Sequence, residues 1–282
     1  MNLENRTAVI TGAASGIGRA IAVSLARRGC NLALADMNDA GLSETARMAE
    51  TAQTDPAKHS APRSALRISQ HHLDVADRRA VAAFPQVAIA AHPGVDILVN
   101  NAGVAVGGVF EAVSEEDFEW LFEINFWGVV RMTRAFLPLL RKSDDARVVN
   151  LSSIYGIISP PGETSYSASK FAVRGFSNSL RHELAGSNVG VTVVHPGGIA
   201  TSIADNARVP KDMPPQEIAR RRALAKKALT MPPAIAGEII VRGIERRSER
   251  VLVGNDAKFL AILERLAPIA YWRIFLRFLP KS

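Results

Sequence analysis

Two rhythms of apolar residues run along this chain: short unbroken runs, and longer stretches in which apolar positions recur every three or four residues. Thr7-Ala8-Val9-Ile10 is a run of the first kind that ends at a glycine turn, as a strand buried on both faces should. A stretch of the second kind follows, with Ile17, Ile21, Leu25 and Ala26 on one helical face and Gly29 beyond its end. The alternation continues. Strands are predicted at 31–35, 68–73, 95–99, 147–151, 189–195 and 251–253, and helices at 39–53, 76–91, 115–142 (one long stretch) and 165–186. Residues 54–67 read as a connector containing Pro and Ser. Strands of about five residues separated by helices give βαβ units, hence an α/β fold with a parallel sheet covered on both faces. The right-handed crossover rule then makes a single doubly wound sheet the expected topology.

Composition narrows the class. Of 282 residues 48% are apolar and 22% charged, which excludes a disordered chain. The single cysteine, Cys30, excludes a disulfide framework and a Cys-clustered zinc site. No signal peptide is visible, and no uncharged apolar run approaches the roughly 18 residues of a spanning helix. A soluble, cytoplasmic protein is expected. The net charge of +7 is uneven: residues 208–282 carry 16 Lys and Arg against 7 Asp and Glu, whereas residues 1–207 are slightly acidic. A uniformly basic nucleic-acid binder would not show this distribution. A solvated helical face or a local patch facing something acidic fits better.

The first strand runs into Thr11-Gly12-Ala13-Ala14-Ser15-Gly16-Ile17-Gly18 and then a helix. Glycines suit a sharp turn and a close approach of backbone to a pyrophosphate, and the helix N-terminus offers N–H donors to phosphate. Asp36 ends the second strand, where a carboxylate accepts from both ribose hydroxyls of NAD and repels a 2′-phosphate. Neither Ser15 nor Met37 supplies a cation for such a phosphate, and only Arg19 argues the other way, so NAD is favoured over NADP.

Tyr166 and Lys170 stand four apart on the helix predicted at 165–186 and so share a face. Ser153 follows the strand at 147–151, at the end where open α/β sheets bind ligands. An ammonium beside a phenol stabilises the phenolate and lowers a tyrosine pKa toward a useful range. Tyr166 would then exchange a proton with a substrate oxygen that the serine holds.

The glycine string, Asn100-Asn101-Ala102-Gly103, Asn125, Ser153, Tyr166-Ser167-Ala168-Ser169-Lys170 and Pro196-Gly197, in this order and spacing, resemble the short-chain dehydrogenase/reductase family. The resemblance covers about residues 5–200, and 235–255 more loosely. It implies a Rossmann-type oxidoreductase acting on a secondary alcohol or ketone with NAD(H). By this resemblance Tyr166 is the general acid/base, Lys170 lowers its pKa and binds the nicotinamide ribose, Ser153 polarises the substrate oxygen, and Asn125 holds a water in a proton relay. The cofactor would lie along Gly12, Ser15, Gly16, Ile17 and Gly18, with Asp36 at the ribose and Asp74 and Val75 at the adenine. Asn101, Tyr166, Lys170, Ile199 and Thr201 would complete its contacts, the last two at the carboxamide. A homotetramer or homodimer through the long helices is likewise implied.

The remaining features take plainer readings. His71, His72 and His195 lack metal-ligand spacing, and Cys30 reads as a small core residue. The expected organisation is a Rossmann-type dehydrogenase domain over 1–256, including a substrate loop near 202–233, and an amphipathic basic extension over 257–282. Met213, Leu224, Leu229 and Met231 suggest an apolar lid. The tail combines Leu260, Leu263, Leu266, Ile269, Tyr271, Trp272, Phe275 and Phe278 with Arg265, Arg273 and Arg277. Such a stretch fits packing on a subunit, closure over the pocket, or peripheral contact with an anionic membrane, and it favours a lipophilic substrate. The alternative from a different class is a non-catalytic nucleotide-binding or membrane-recruited interaction protein on the same fold.

Overall fold

Short apolar strands need cover on both faces, and the helices between them supply it. The computed structural model describes residues 1–53 and 65–277, and among these seven parallel strands form one sheet. They are β1 (Thr7–Thr11), β2 (Asn31–Asp36), β3 (Ile68–His72), β4 (Ile97–Asn100), β5 (Ala146–Leu151), β6 (Val189–Pro196) and β7 (Arg250–Val253). Their spatial order is β3-β2-β1-β4-β5-β6-β7, so the chain reverses direction across the sheet between β1 and β4. Val9 pairs with Leu98 and Asn100 with Asn150, which brings the carboxyl ends of these strands to one edge. The crevice at such a switch point is where doubly wound sheets bind their ligands.

On one face, α1 (Gly16–Ala26), α2 (Asp39–Gln53) and α8 (Pro233–Glu245) bury Ile21, Leu25, Leu42, Ile240 and Ile244 against Ile10, Leu32 and Val194. On the other, α3 (Arg78–Ala91), α5 (Gly128–Leu140) and α6 (Thr164–Glu183) bury Phe84, Met132, Phe136 and Leu180 against Val9, Leu98 and Val191. Arg28, just beyond α1, clips α1 to α8 through Glu238 and Glu245, each at 2.8 Å.

Three expectations change. The helix expected from 76 begins at Arg78 because Asp77 caps it, accepting from the N–H groups of Arg79 and Ala80 at 2.8 and 3.1 Å. The long stretch at 115–142 is α4 (Glu115–Phe122) and α5 joined by a π-helical turn, Glu123–Trp127, that carries Asn125. The segment near 202–233 holds a helix of its own, α7 (Pro215–Ala228), none of whose residues is buried. Most of the connector read at 54–67, and Phe278 of the tail, lie outside the described residues.

Candidate active site

The glycine loop after β1 is held from below by β4. Thr11 Oγ1 accepts from the N–H groups of Asn101 and Ala102 at 3.0 and 3.1 Å, and Asn101 Nδ2 donates to the carbonyls of Thr11 and Gly12 at 3.0 Å each. Gly12 sits at φ +65°, and a Cβ there would lie 2.7 Å from Asn101 Nδ2. At Gly18 a Cβ would stand 2.1 Å from the Gly12 carbonyl oxygen. Close packing of turn on helix therefore demands glycine at both positions. Ser15 at the start of α1 makes no capping hydrogen bond, which leaves first-turn N–H groups for an anion.

Asp36 is fixed at the end of β2, Oδ2 accepting from Ala14 N and Oδ1 from Asn38 N, both at 3.0 Å. Arg19 turns the other way: Nε donates to Thr45 Oγ1 at 3.0 Å, and Nη2 to the carbonyls of Ala14 and Gly41. Asp74 Oδ1 accepts from Ala76 N at 2.8 Å, and Val75 is buried beneath Gly128. Thr201 lies across from Gly16, where a Cβ would be 3.1 Å from its methyl group, with Ile199 buried beside it. Asn101 thus shapes the glycine loop, Asp36 is tied to Ala14 of that loop, and Thr201 approaches Gly16. An open helix N-terminus, crowded glycines and an anchored carboxylate at the neighbouring strand end fit a dinucleotide.

The candidate catalytic groups gather at the carboxyl end of β5. Lys170 is 4% exposed; Nζ donates to the Leu151 carbonyl at 3.1 Å and stands 5.5 Å from the centre of the Tyr166 ring. The Ser153 hydroxyl reaches the Tyr166 phenol and also accepts from Tyr155 N at 3.1 Å. Asn125, fully buried in the π turn, clamps the backbone of Val104 through both amide atoms, at 2.8 and 2.9 Å, and donates to Ser169 Oγ at 3.2 Å.

One electrostatic expectation is corrected. Burial pushes the Tyr166 phenol above its usual range, and the opposing effect comes from Ser153 rather than Lys170. Burial also lowers Lys170, to about 8. Burial thus drives both groups toward their neutral forms.

Two further residues belong to this corner that the motifs did not single out. Tyr155 packs edge-on against Tyr166 with ring centres 6.1 Å apart, and burial raises its phenol to about 12. Burial raises the Glu163 carboxyl to about 7, with Arg221 of α7 opposing. The available signal was helical spacing, since Glu163 precedes Tyr166 by three residues.

Of the residues expected to form an apolar lid, Met213, Leu229 and Met231 are half-buried and Leu224 is 56% exposed. The tail folds back on its own chain. In α9 (Asn255–Leu266) Leu260 and Ala261 pack with Ile154, Ile157 and Ile158, joined by Tyr271 and Phe275 of α10 (Tyr271–Leu276). Tyr271 Oη accepts from Ser159 N at 2.9 Å. The membrane expectation loses these residues to internal packing.

The short chain dehydrogenase family model matches residues 6–212. SadH of Mycobacterium tuberculosis, provisionally named an oxidoreductase, is 39% identical over 279 residues, covering 97% of this chain and 95% of that one. The oxidoreductase UcpA of Salmonella typhimurium is 37% identical over 261 residues, 92% of this chain and 88% of its own. Among solved structures, a short chain dehydrogenase/reductase from Burkholderia phymatum in complex with NAD superposes with a TM-score of 0.83 at 28% identity. It covers 100% of this chain and 98% of that one.

Proposed function

Because this chain belongs to the short-chain dehydrogenase family of oxidoreductases, we propose that it exchanges hydride between NAD(H) and a secondary alcohol or ketone, with Tyr166 as general acid/base. The observation that carries the reading is the gathering of Ser153, Tyr166 and Lys170 at the carboxyl end of β5, where Lys170 bonds the Leu151 carbonyl and stands 5.5 Å from the centre of the Tyr166 ring. When bound, the nicotinamide supplies or accepts the hydride. Tyr166 gives its phenolic proton to the carbonyl oxygen in reduction and removes the hydroxyl proton in oxidation. Ser153 holds that oxygen, and Lys170, anchored on Leu151, keeps a cation beside the phenol. Asn125 fixes the Val104 backbone and supports Ser169, one residue before Lys170.

NAD rather than NADP is supported by the anchored Asp36 carboxylate and by Arg19, which is engaged by Thr45 and backbone carbonyls. A lipophilic substrate is supported by exposed apolar side chains near the catalytic helix. Gly108 N donates to the Gly162 carbonyl at 3.0 Å, which brings the exposed Val109 and Phe110 beside the start of α6. Assembly through α5 and α6 is supported by exposed Trp127 and Phe171.

The test is NADH formation or consumption across secondary alcohols and ketones of increasing chain length, with NADP(H) in parallel. Turnover should rise with substrate hydrophobicity. Tyr166→Phe should abolish turnover and retain NADH binding; a variant with undiminished turnover overturns the assignment.

A further inference from the structure

Beyond β6 the chain must leave the sheet and swing back toward the glycine loop, and it does so through two adjacent glycines, Gly197 and Gly198. Neither has a side chain with which to fix its own conformation, so the turn depends on its neighbours. Gly197 N donates to the Val253 carbonyl at 2.9 Å, which extends the pairing of β6 with β7 by one residue. The Gly198 carbonyl accepts from Thr230 and Met231 N–H groups at 3.1 and 3.0 Å, and a Cβ on Gly198 would stand 2.1 Å from the Ala228 carbonyl oxygen.

The Gly198 N–H is held from the far end of the chain. It donates to Asp256 Oδ2 at 2.7 Å, across 58 residues, and has no other acceptor among the described residues. That distance is at the short end of the range for N–H to oxygen, as expected where the acceptor is charged. Asp256 stands in the first turn of α9, whose Ala257, Leu260 and Ala261 are buried, so the carboxylate projects from a seated element.

An acidic residue in a first turn also favours its own helix. That role alone would not require the space cleared around this carboxylate. A Cβ at Gly197 would stand 2.2 Å from Oδ2, and one at Gly254, which sits at φ +106°, would stand 2.2 Å from Oδ1. The carboxylate is wedged between two glycines and aimed at the N–H of a third. Downstream of the clamped peptide, Ile199 is buried, Ala200 N donates to the Met231 carbonyl at 2.8 Å, and the Thr201 methyl approaches Gly16 of the glycine loop.

We propose that Asp256 is a positioning residue for dinucleotide binding: from the start of α9 it clamps the Gly198 N–H and so sets the Ile199–Thr201 segment against the glycine loop. The inference rests on the dinucleotide reading given above and adds to it a residue outside the cofactor's own contacts. It also gives the carboxyl-terminal helix a part in cofactor affinity.

The test compares Asp256→Ala with Asp256→Asn in the full chain; the residue is exposed, so neither substitution empties a core position. NADH affinity is read by fluorescence titration, Gly198 amide exchange by NMR in the cofactor-free protein, and stability by a thermal melt. Asp256→Ala should weaken NADH about five- to tenfold and speed Gly198 exchange about tenfold or more, the scale of a lost hydrogen bond to a charged group. Asp256→Asn keeps an acceptor and should stay within about threefold of the native chain on both counts. A residue that served only its own helix would move the melt and leave NADH affinity and the rescue pattern untouched. NADH affinity unchanged in Asp256→Ala overturns the positioning role, as does Gly198 exchange that is no faster, or Asp256→Asn as impaired as Asp256→Ala. A native chain that binds no NADH overturns the dinucleotide reading itself, a result distinct from native binding that Asp256→Ala leaves intact.

Discussion

Asp36→Asn tests the dinucleotide assignment at a single charge. In the native chain each carboxylate oxygen already accepts one backbone N–H at 3.0 Å, from Ala14 or Asn38. Each keeps further lone-pair capacity, so the group is anchored and still free to accept from a ribose diol. The amide removes the charge and turns one acceptor into a donor. Hydrogen bonds to charged groups contribute about 1.5–3 kcal/mol and neutral ones about 0.5–1.5. A loss of about 1–2 kcal/mol, or about a 5- to 30-fold fall in kcat/KM with NAD(H), follows. With NADP(H) the sign reverses. Two like charges about 4 Å apart repel by about 1 kcal/mol in water and about 4 at the effective dielectric of a protein surface. Removing the carboxylate should therefore raise kcat/KM with NADP(H) about 5-fold or more, and the NAD-to-NADP preference should fall about 25-fold or more. Initial rates with both cofactors at constant ionic strength measure this, alongside a thermal melt. An equal fall with both cofactors would show that Asp36 serves only as a strut for the glycine loop. That result, or an unchanged preference, refutes the reasoning.

Three further outcomes follow from the packing and the charges. Gly18→Ala drives a methyl to 2.1 Å from the Gly12 carbonyl oxygen; it should cost about 1–3 kcal/mol in a denaturant melt and weaken NADH binding, and normal stability with normal binding would contradict the packing argument. Arg28 holds Glu238 at about 2, below its usual range. A depressed carboxyl stabilises above its unfolded pKa and loses that contribution as pH falls through about 2. Glu238→Gln should therefore lower stability by about 1 kcal/mol at neutral pH and flatten the acid limb, the size being modest because the pair is partly open to solvent; an unchanged acid limb would count against it. Leu260→Ala, at a buried tail position, should cost about 2–5 kcal/mol, whereas Leu266→Ala, at a residue 79% exposed, should cost almost nothing. Equal effects in urea melts would mean that the tail does not pack as described.

The strand-and-helix alternation was legible because most strands are short apolar runs, β3 (Ile-Ser-Gln-His-His) being the exception, and most helices carry a periodic apolar face. The glycine turn, Asp36, and the Tyr166–Lys170 pair were legible because their chemistry is local in sequence. What escaped depended on partners far along the chain. The π turn at Glu123–Trp127 has no local signature, and its Asn125 amide bonds the backbone of Val104. Helix α7 hid between Pro214 and Pro232, without a buried face to give a period. The inward packing of Tyr271 is decided by Ser159, 112 residues away. The expectation that Lys170 lowers the Tyr166 pKa took account of the neighbouring charge and omitted burial, which acts on both groups and more strongly.

The segment from Ser153 to Gly156 gathers most of these distant constraints. At the front, the Ser153 hydroxyl faces Tyr166. At the back, His195 and Arg174 hold the carbonyls at its two ends. From the side, Leu260 and Phe275 of the tail press on Ile154. Beneath it there is no slack: a Cβ at Gly156 would stand 2.2 Å from Ser152 Oγ and 2.7 Å from the Lys170 carbonyl, which Ser152 itself binds at 2.8 Å. A catalytic hydroxyl must be held within a fraction of an ångström of its working position by groups that are themselves fixed. Here those groups come from α6, from β6 and from the carboxyl-terminal helices. Through α9 and α10 the last quarter of the chain packs against the loop that follows Ser153.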